Sequence, residues 1–87
     1  MEHKRHFITY HRYVAPGVIN ERLLSIVDEY EKEGIGLDDI LMLFYRELKF
    51  QNIPESDVKA HLGFLVFNKR VRHDLRRRLY YPVVRVL

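Results

Sequence analysis

Apolar residues recur at steps of three and four along the middle of the chain, which is the spacing of one face of an α-helix. Breaks rich in proline, glycine and asparagine divide this pattern into three stretches. They run from Pro16-Gly17 to Gly34, from Leu37 or Asp38 to Asn52, and from Pro54 to Asn68. The inward positions are Ile19, Leu23, Ile26, Val27 and Tyr30 in the first, Ile40, Leu41, Phe44, Tyr45 and Leu48 in the second, and Val58, Leu62, Leu65 and Val66 in the third. The pattern predicts three helices.

Both ends of the chain follow a different pattern, rich in β-branched and aromatic residues. Phe7 to Val14 alternates and predicts a short strand or extended arm, and Leu79 to Leu87 predicts a second strand. Pro82 favours an edge position for that strand, because proline cannot donate a ladder hydrogen bond. The predicted fold class is therefore α+β and mostly helical: a three-helix core with short terminal strands, in a single domain spanning residues 1–87.

Residues 69 to 79 fit two structures. As a helix, Val71, Leu75 and Leu79 lie at steps of four and predict one long basic helix from about Glu55 to Tyr80, with the terminal strands paired. As a hairpin, Val71, His73 and Leu75 alternate with polar residues, and a turn near residues 75 to 77 leads into the last strand. That turn has no glycine, which tight hairpins favour. The sequence leaves both possibilities open.

The hairpin alternative is supported by a resemblance to winged helix-turn-helix proteins over about residues 37 to 84. The run Ile53-Pro54-Glu55-Ser56-Asp57-Val58-Lys59-Ala60-His61-Leu62-Gly63-Phe64-Leu65 resembles the third helix of that family in its apolar spacing. Residues 68 to 72 resemble the exit into the first wing strand, and residues 76 to 81 resemble a basic wing tip and returning strand. The resemblance implies a winged-helix fold and DNA binding. Acidic residues at the start of this helix, and apolar ones at its end, depart from the pattern of a groove-binding helix.

Charge is distributed unevenly along the chain. From Lys69 onwards seven residues are basic and one is acidic, whereas residues 1 to 68 hold eight basic and eleven acidic residues. A dense cationic end predicts an anionic partner, most commonly nucleic acid, and here DNA bound by a possible transcriptional regulator. Arginine suits this role because its planar guanidinium donates to phosphate oxygens and stays charged. The predicted phosphate contacts are Arg70, Arg72, Arg76, Arg77 and Arg78, with Lys59, His61 and Lys69 as secondary contacts.

Two other interpretations of the same charges stay open. The arginines could form a solvated face, or pair with the acidic stretch from residue 20 to residue 57, which has four basic and ten acidic residues. Alternatively the chain is a non-enzymatic protein-interaction or assembly module, in which Asp28, Glu29, Glu31 or Glu33 meets the basic end of a neighbour. A homodimer is expected in either case, because the phenylalanines are numerous for so small a core. They are Phe44, Phe50, Phe64 and Phe67.

Several function classes find no support in the sequence. It has no cysteine, and none of the motifs that supply a nucleophile, a nucleotide phosphate loop or a zinc-binding helix, so no enzyme, cofactor, metal or small-molecule substrate is predicted. His3, His6 and His11 lack the convergent spacing of a metal site. No apolar run is long enough for a membrane span or signal core. We therefore expect a soluble cytoplasmic protein, and its low content of asparagine and glutamine is typical of a thermophile.

Overall fold

The structure, a computed structural model, describes residues 14–84. Within that range the chain forms α1 (Pro16–Asp28), α2 (Leu37–Phe44), a short 3-10 helix (Leu48–Phe50), α3 (Glu55–Phe67), β1 (Val71–Asp74) and β2 (Leu79–Pro82). The predicted α+β, mostly helical class is confirmed. The strand predicted for Phe7 to Val14 lies outside the described residues except for Val14, which is in a bend.

The core lies between the three helices, as the apolar spacing predicts. α1 packs against α2, α3 and β2, and the hairpin contributes the buried side chain of Val71 to the core. The residues buried on the helices are Ile19, Leu23, Ile26 and Val27 on α1, Ile40, Leu41 and Phe44 on α2, and Val58, Leu62 and Leu65 on α3. Each set repeats at three or four residues, so one stripe of every helix faces the same interior.

The second helix ends at Phe44, and its predicted extension to Asn52 is wrong. In a continuous helix residue 50 would point roughly 120° away from residue 44. The break instead brings Phe50 back into the core, where its ring stacks on that of Phe44 with centroids 4.6 Å apart. The Tyr45 hydroxyl donates to the Ile53 carbonyl at 2.6 Å and fixes the returning chain. Leu48, which the periodicity places inside, is 81% exposed.

The first helix also ends before the predicted glycine stop, at Asp28, and turns connect it to Gly34. Gly34 has φ +76° and donates its N–H to the Tyr30 carbonyl at 2.8 Å. The next residue, Ile35, exchanges two backbone hydrogen bonds with Tyr80, at 3.0 and 2.8 Å. This bridge joins the segment between α1 and α2 to β2, so β2 has a neighbour on each side.

Residues 69 to 82 form a hairpin, and the long basic helix from Glu55 to Tyr80 is wrong. α3 ends at Phe67, and two hydrogen bonds close its last turn: Lys69 N–H to the Val66 carbonyl at 3.0 Å and Arg70 N–H to the Leu65 carbonyl at 2.9 Å. The left-handed residue of this helix cap is Lys69, with φ 61°, and not Asn68, the residue at which the sequence pattern ends the third helix.

Strands β1 and β2 pair antiparallel from Val71 opposite Pro82 to Asp74 opposite Leu79. The helical alternative fails because this ladder, together with the bridge from Ile35 to Tyr80, requires extended backbone in both halves of the segment. The predicted terminal strand is shorter than expected. It ends at Pro82, whose nitrogen cannot donate a ladder hydrogen bond, and residues 85 to 87 lie outside the described range.

Candidate nucleic-acid interface

The segment from Lys69 to Pro82, called the basic hairpin below, turns at residues 75 to 78 without a glycine. Asp74 replaces one. Its Oδ1 accepts hydrogen bonds from the backbone N–H groups of Arg76 and Arg77, both at 3.1 Å, and its carbonyl accepts from the Arg78 N–H at 2.7 Å. A short carboxylate that binds backbone two and three residues ahead is a recognised turn-forming device. It explains how a turn made mostly of arginines is held closed.

Two basic residues of the hairpin adopt a backbone conformation that usually belongs to glycine. Among residues 14–84, the non-glycine residues with positive φ are Lys69 at 61° and Arg78 at 59°. One lies before β1 and the other just before β2. Such a conformation costs a side-chain-bearing residue about 1–2 kcal/mol. Both positions have a structural cause, since Lys69 caps the end of α3 and Arg78 closes the turn before β2.

The arginines of the hairpin face solvent. The side chains of Arg70, Arg72, Arg76, Arg77 and Arg78 are all exposed, as is that of Lys69. Their ion pairing within residues 14–84 consists of a 4.0 Å contact from Arg77 Nε to Asp74 Oδ2, inside the hairpin itself. In this range no ion pair joins a hairpin arginine to the acidic stretch of residues 20 to 57. The structure therefore gives no support to the self-pairing alternative.

Two tyrosine rings of β2 pack against side chains of β1. The Arg72 guanidinium lies over the Tyr81 ring at 4.4 Å from its centroid, and His73 stacks on Tyr80 with centroids 4.0 Å apart. Tyr81 is buried against Gly34, and burial raises the pKa of the Tyr80 phenol above its ordinary value. Both tyrosines thus position the strands, and the buried Tyr81 ring presents no free face on which a base could stack.

Lys59 and His61, the predicted secondary contacts on α3, are not part of this surface. Lys59 forms an ion pair with Glu55 at 3.0 Å, one turn earlier on the helix. The His61 ring is half-buried, and its Nδ1 lies 2.9 Å from Asn20 Oδ1 on α1, so it joins two helices instead of pointing outward. At 1.5 Å per residue, Lys59 lies about 12 Å along the helix axis from the end of α3.

A cleft of about 700 Å³ lies between the start of α2 and the hairpin. Asp38 and Asp39 contribute to one wall, and His73, Leu75 and Arg78 to the other. Asp38 and Asp39 occupy the first turn of α2, where carboxylates stabilise the positive end of the helix dipole. A phosphate in this cleft would therefore meet two carboxylates beside Arg78, whereas Arg76 and Arg77 do not line it.

Asp74 and Gly34 were not among the predicted site residues, yet they shape this surface. An aspartate at the start of a turn is a signal that the sequence does contain, because its short side chain can accept hydrogen bonds from backbone two or three residues ahead. The sequence marks Gly34 only as a helix stop, because its contact with Tyr81 joins residues that are distant along the chain.

We expect two substitutions of Asp74 to separate charge from turn geometry. Asp74→Ala leaves two backbone N–H groups without their acceptor and should lower the free energy of unfolding by about 1 kcal/mol. Asp74→Asn keeps an acceptor oxygen, so it should retain most of that stability while removing the one negative charge of the hairpin. Urea denaturation of both variants measures the difference. Equal losses in the two variants would show that the carboxylate charge, not the turn hydrogen bonding, stabilises the hairpin.

The described part of the chain contains neither a metal site nor a membrane-spanning helix. In residues 14–84 no three histidine, aspartate or glutamate side chains come together in a way that could hold a metal ion. The helices of the same range are too short or too polar to cross a bilayer. Comparison of the chain with protein-family models, with curated proteins and with solved structures gave no match.

Proposed function

We propose that this protein binds nucleic acid, specifically duplex DNA, through the phosphates, and that it is a winged-helix protein with a regulatory role. In this proposal α2 and α3 are the helix-turn-helix pair and the basic hairpin is the wing. The order of elements supports it: helix, a short bridged segment at Ile35, two helices and a hairpin whose second strand pairs with that segment.

The observation that carries the proposal is the exposure of the hairpin arginines. Arg76, Arg77 and Arg78 occupy the tip, and Arg70 and Arg72 lie on its first half, all with exposed side chains. An arginine can donate two parallel hydrogen bonds to one phosphate. Because the turn is fixed by Asp74 and the strands rest on the core, these donors are presented on an ordered element. Less conformational entropy is then lost on binding than from a free basic tail.

The composition of α3 favours phosphate contact by the hairpin over base reading by this helix. Its first turn carries Glu55 and Asp57, and Phe64 and Phe67 are exposed further along. Carboxylates repel the phosphates on either side of a DNA groove. The edges of the bases are read mainly by arginine, lysine, asparagine and glutamine. Binding dominated by phosphate contacts carries little sequence information. The proposed binding is therefore tolerant of DNA sequence.

Binding to duplex DNA over a salt series tests the proposal. Each phosphate neutralised by arginine contributes about −0.9 to the slope of log affinity against log salt, so four or five contacts should give a slope near −4. Fluorescence anisotropy with a labelled duplex, from ~50 mM salt upward, measures both the affinity and its dependence on salt. Absence of binding at the lowest salt, or affinity that does not change with salt, would contradict the proposal.

A second candidate function, an assembly module, is favoured by the exposure of acidic residues on the same molecule. Asp28, Glu29, Glu31 and Glu33 all face solvent, so they could meet the hairpin arginines of a neighbouring copy. Light scattering across the same salt series separates the two candidates. Association that weakens as salt rises, in the absence of DNA, would support assembly, whereas an oligomeric state independent of salt would exclude this arrangement.

A further inference from the structure

The outer face of α3 has no partner within the described chain, although it is largely apolar. Ala60, Gly63, Phe64 and Phe67 lie at the i, i+3, i+4 and i+7 positions of one stripe. The Phe64 side chain is 56% exposed and that of Phe67 is 83% exposed. A methyl group built on Gly63 would meet no atom within 4 Å, so the helix surface is also open at this end of the stripe.

The opposite face of α3 is apolar as well, since Val58, Leu62 and Leu65 are buried in the core. A helix that is apolar on both sides is characteristic of one buried on both sides. Exposed aromatic side chains grouped on one helix mark an interaction surface, whereas single exposed apolar residues do not. The stripe therefore has the composition of a surface that binds another macromolecule.

We propose that the stripe binds the same stripe of a second copy of this chain, with the two α3 helices antiparallel. A twofold axis passing between residues 63 and 64 places Phe64 of each copy opposite Gly63 of the other. The same axis places Phe67 of each copy opposite Ala60 of the other. Each large ring then faces a small residue, which allows the helices to approach closely and the rings to fill the space beside them.

The charges at the two ends of α3 fit the same arrangement. Antiparallel pairing about this axis brings Asp57, in the first turn of one helix, beside Arg70, which follows the end of the other. Both side chains are exposed, and within residues 14–84 neither forms an ion pair with its own chain. The twofold axis makes this pair twice, once at each end of the stripe.

The stripe fits a second copy better than it fits nucleic acid. It contains no cation: Lys59, at its edge, is already paired with Glu55 at 3.0 Å, and Asp57 borders the other side. A stripe of aromatic and small side chains bounded by a carboxylate has nothing to neutralise phosphate. The inference does not rest on DNA binding. It assigns Arg70 to the dimer contact and so removes it from the proposed phosphate contacts, but it leaves the hairpin tip at Arg76–Arg78 free.

Sedimentation equilibrium of the full chain without DNA tests the proposal through paired substitutions. The wild type should be a dimer. Phe64→Glu and Phe67→Glu should each weaken dimerisation roughly 30-fold or more, as expected for a central aromatic anchor. Asp57→Arg should weaken it roughly tenfold or more by placing like charges together. The combined variant Asp57→Arg with Arg70→Asp restores opposite charges across the axis, so its dissociation constant should return to within about threefold of the wild-type value.

Leu48→Glu is the matched control, because Leu48 is 81% exposed but lies outside α3. It should leave dimerisation unchanged, and thermal melting should show that all variants fold. A monomeric wild type would overturn the proposal, as would dimerisation that is unaffected by both phenylalanine substitutions. Failure of the charge exchange to restore the dimer would overturn the antiparallel register and with it the proposed arrangement.

Discussion

Replacing Arg76, Arg77 and Arg78 by alanine is expected to weaken binding to duplex DNA roughly 100-fold at ~50 mM salt, since three charge-assisted contacts are lost together. The slope of log affinity against log salt should become less steep by about 3, because each phosphate contact contributes about one. The free energy of unfolding should change little. All three side chains are exposed, and the hydrogen bonds that close the turn involve their backbone N–H groups. Fluorescence anisotropy and urea denaturation of the same variant measure the two effects.

The matched control replaces Lys32, Arg46 and Lys49 by alanine. These side chains are also exposed, and their removal lowers the net charge by the same amount, but they lie outside the basic hairpin. The control should bind DNA within about threefold of the wild type, because at ~50 mM salt the attraction between DNA and charges more than about 15 Å away is largely screened. If both triple variants lose affinity equally, binding reflects net charge alone and the hairpin is not the binding site.

Substitution of Gly34 is expected to cause the largest loss of stability, because two separate effects combine there. A side chain at φ +76° is strained by about 1–2 kcal/mol. A Cβ atom would also lie 2.7 Å from Tyr81 Cζ and 3.1 Å from Leu79 Cβ, which forces β2 to move. Overpacking of this kind costs about 1–3 kcal/mol. Gly34→Ala should therefore lower the free energy of unfolding by about 2–5 kcal/mol, or roughly 10–30 °C in Tm for a domain of this size.

Gly17→Ala provides the comparison for Gly34→Ala. Gly17 is in the first turn of α1, and a methyl group there meets no atom within 4 Å, so alanine should stabilise the helix by about 0.5–1 kcal/mol. Differential scanning calorimetry should show opposite shifts for the two variants. A loss below about 1 kcal/mol for Gly34→Ala would mean that the Tyr81 ring moves aside at little cost, and that the hairpin is less firmly held than its contacts indicate.

The helices could be predicted from the sequence because their cores are made by local repetition. Most predicted inward positions of α1 and α3 are buried, since each set repeats at three or four positions; Tyr30, which lies beyond the end of α1, and Val66 are only half-buried. α2 was predicted too long because Leu48 continues its apolar stripe. What ends the helix is the stacking of Phe50 on Phe44, a tertiary contact that helix propensity does not predict. Local periodicity therefore predicts that a helix exists better than it predicts where the helix ends.

The hairpin could not be distinguished from a helix because Val71, Leu75 and Leu79 satisfy both periods. What decides between them lies elsewhere in the chain: Ile35 pairs with Tyr80, and Gly34 admits the Tyr81 ring. The arginine cluster itself was predictable from charge, since no fold needs so many adjacent cations in its core. The inward orientation of His61 was not predictable, because it depends on Asn20 of another helix.

The bridge between Ile35 and Tyr80 also bears on the order of folding. It joins residues from the middle and the end of the chain, and the loop it closes contains α2 and α3. The entropy lost in closing a loop grows with its length, so such a contact forms late unless the intervening helices have already docked. A two-stranded hairpin alone is marginally stable in water. The arginines are therefore arrayed on a fixed surface only in the completed fold, and a chain still folding presents them as an unstructured polycation.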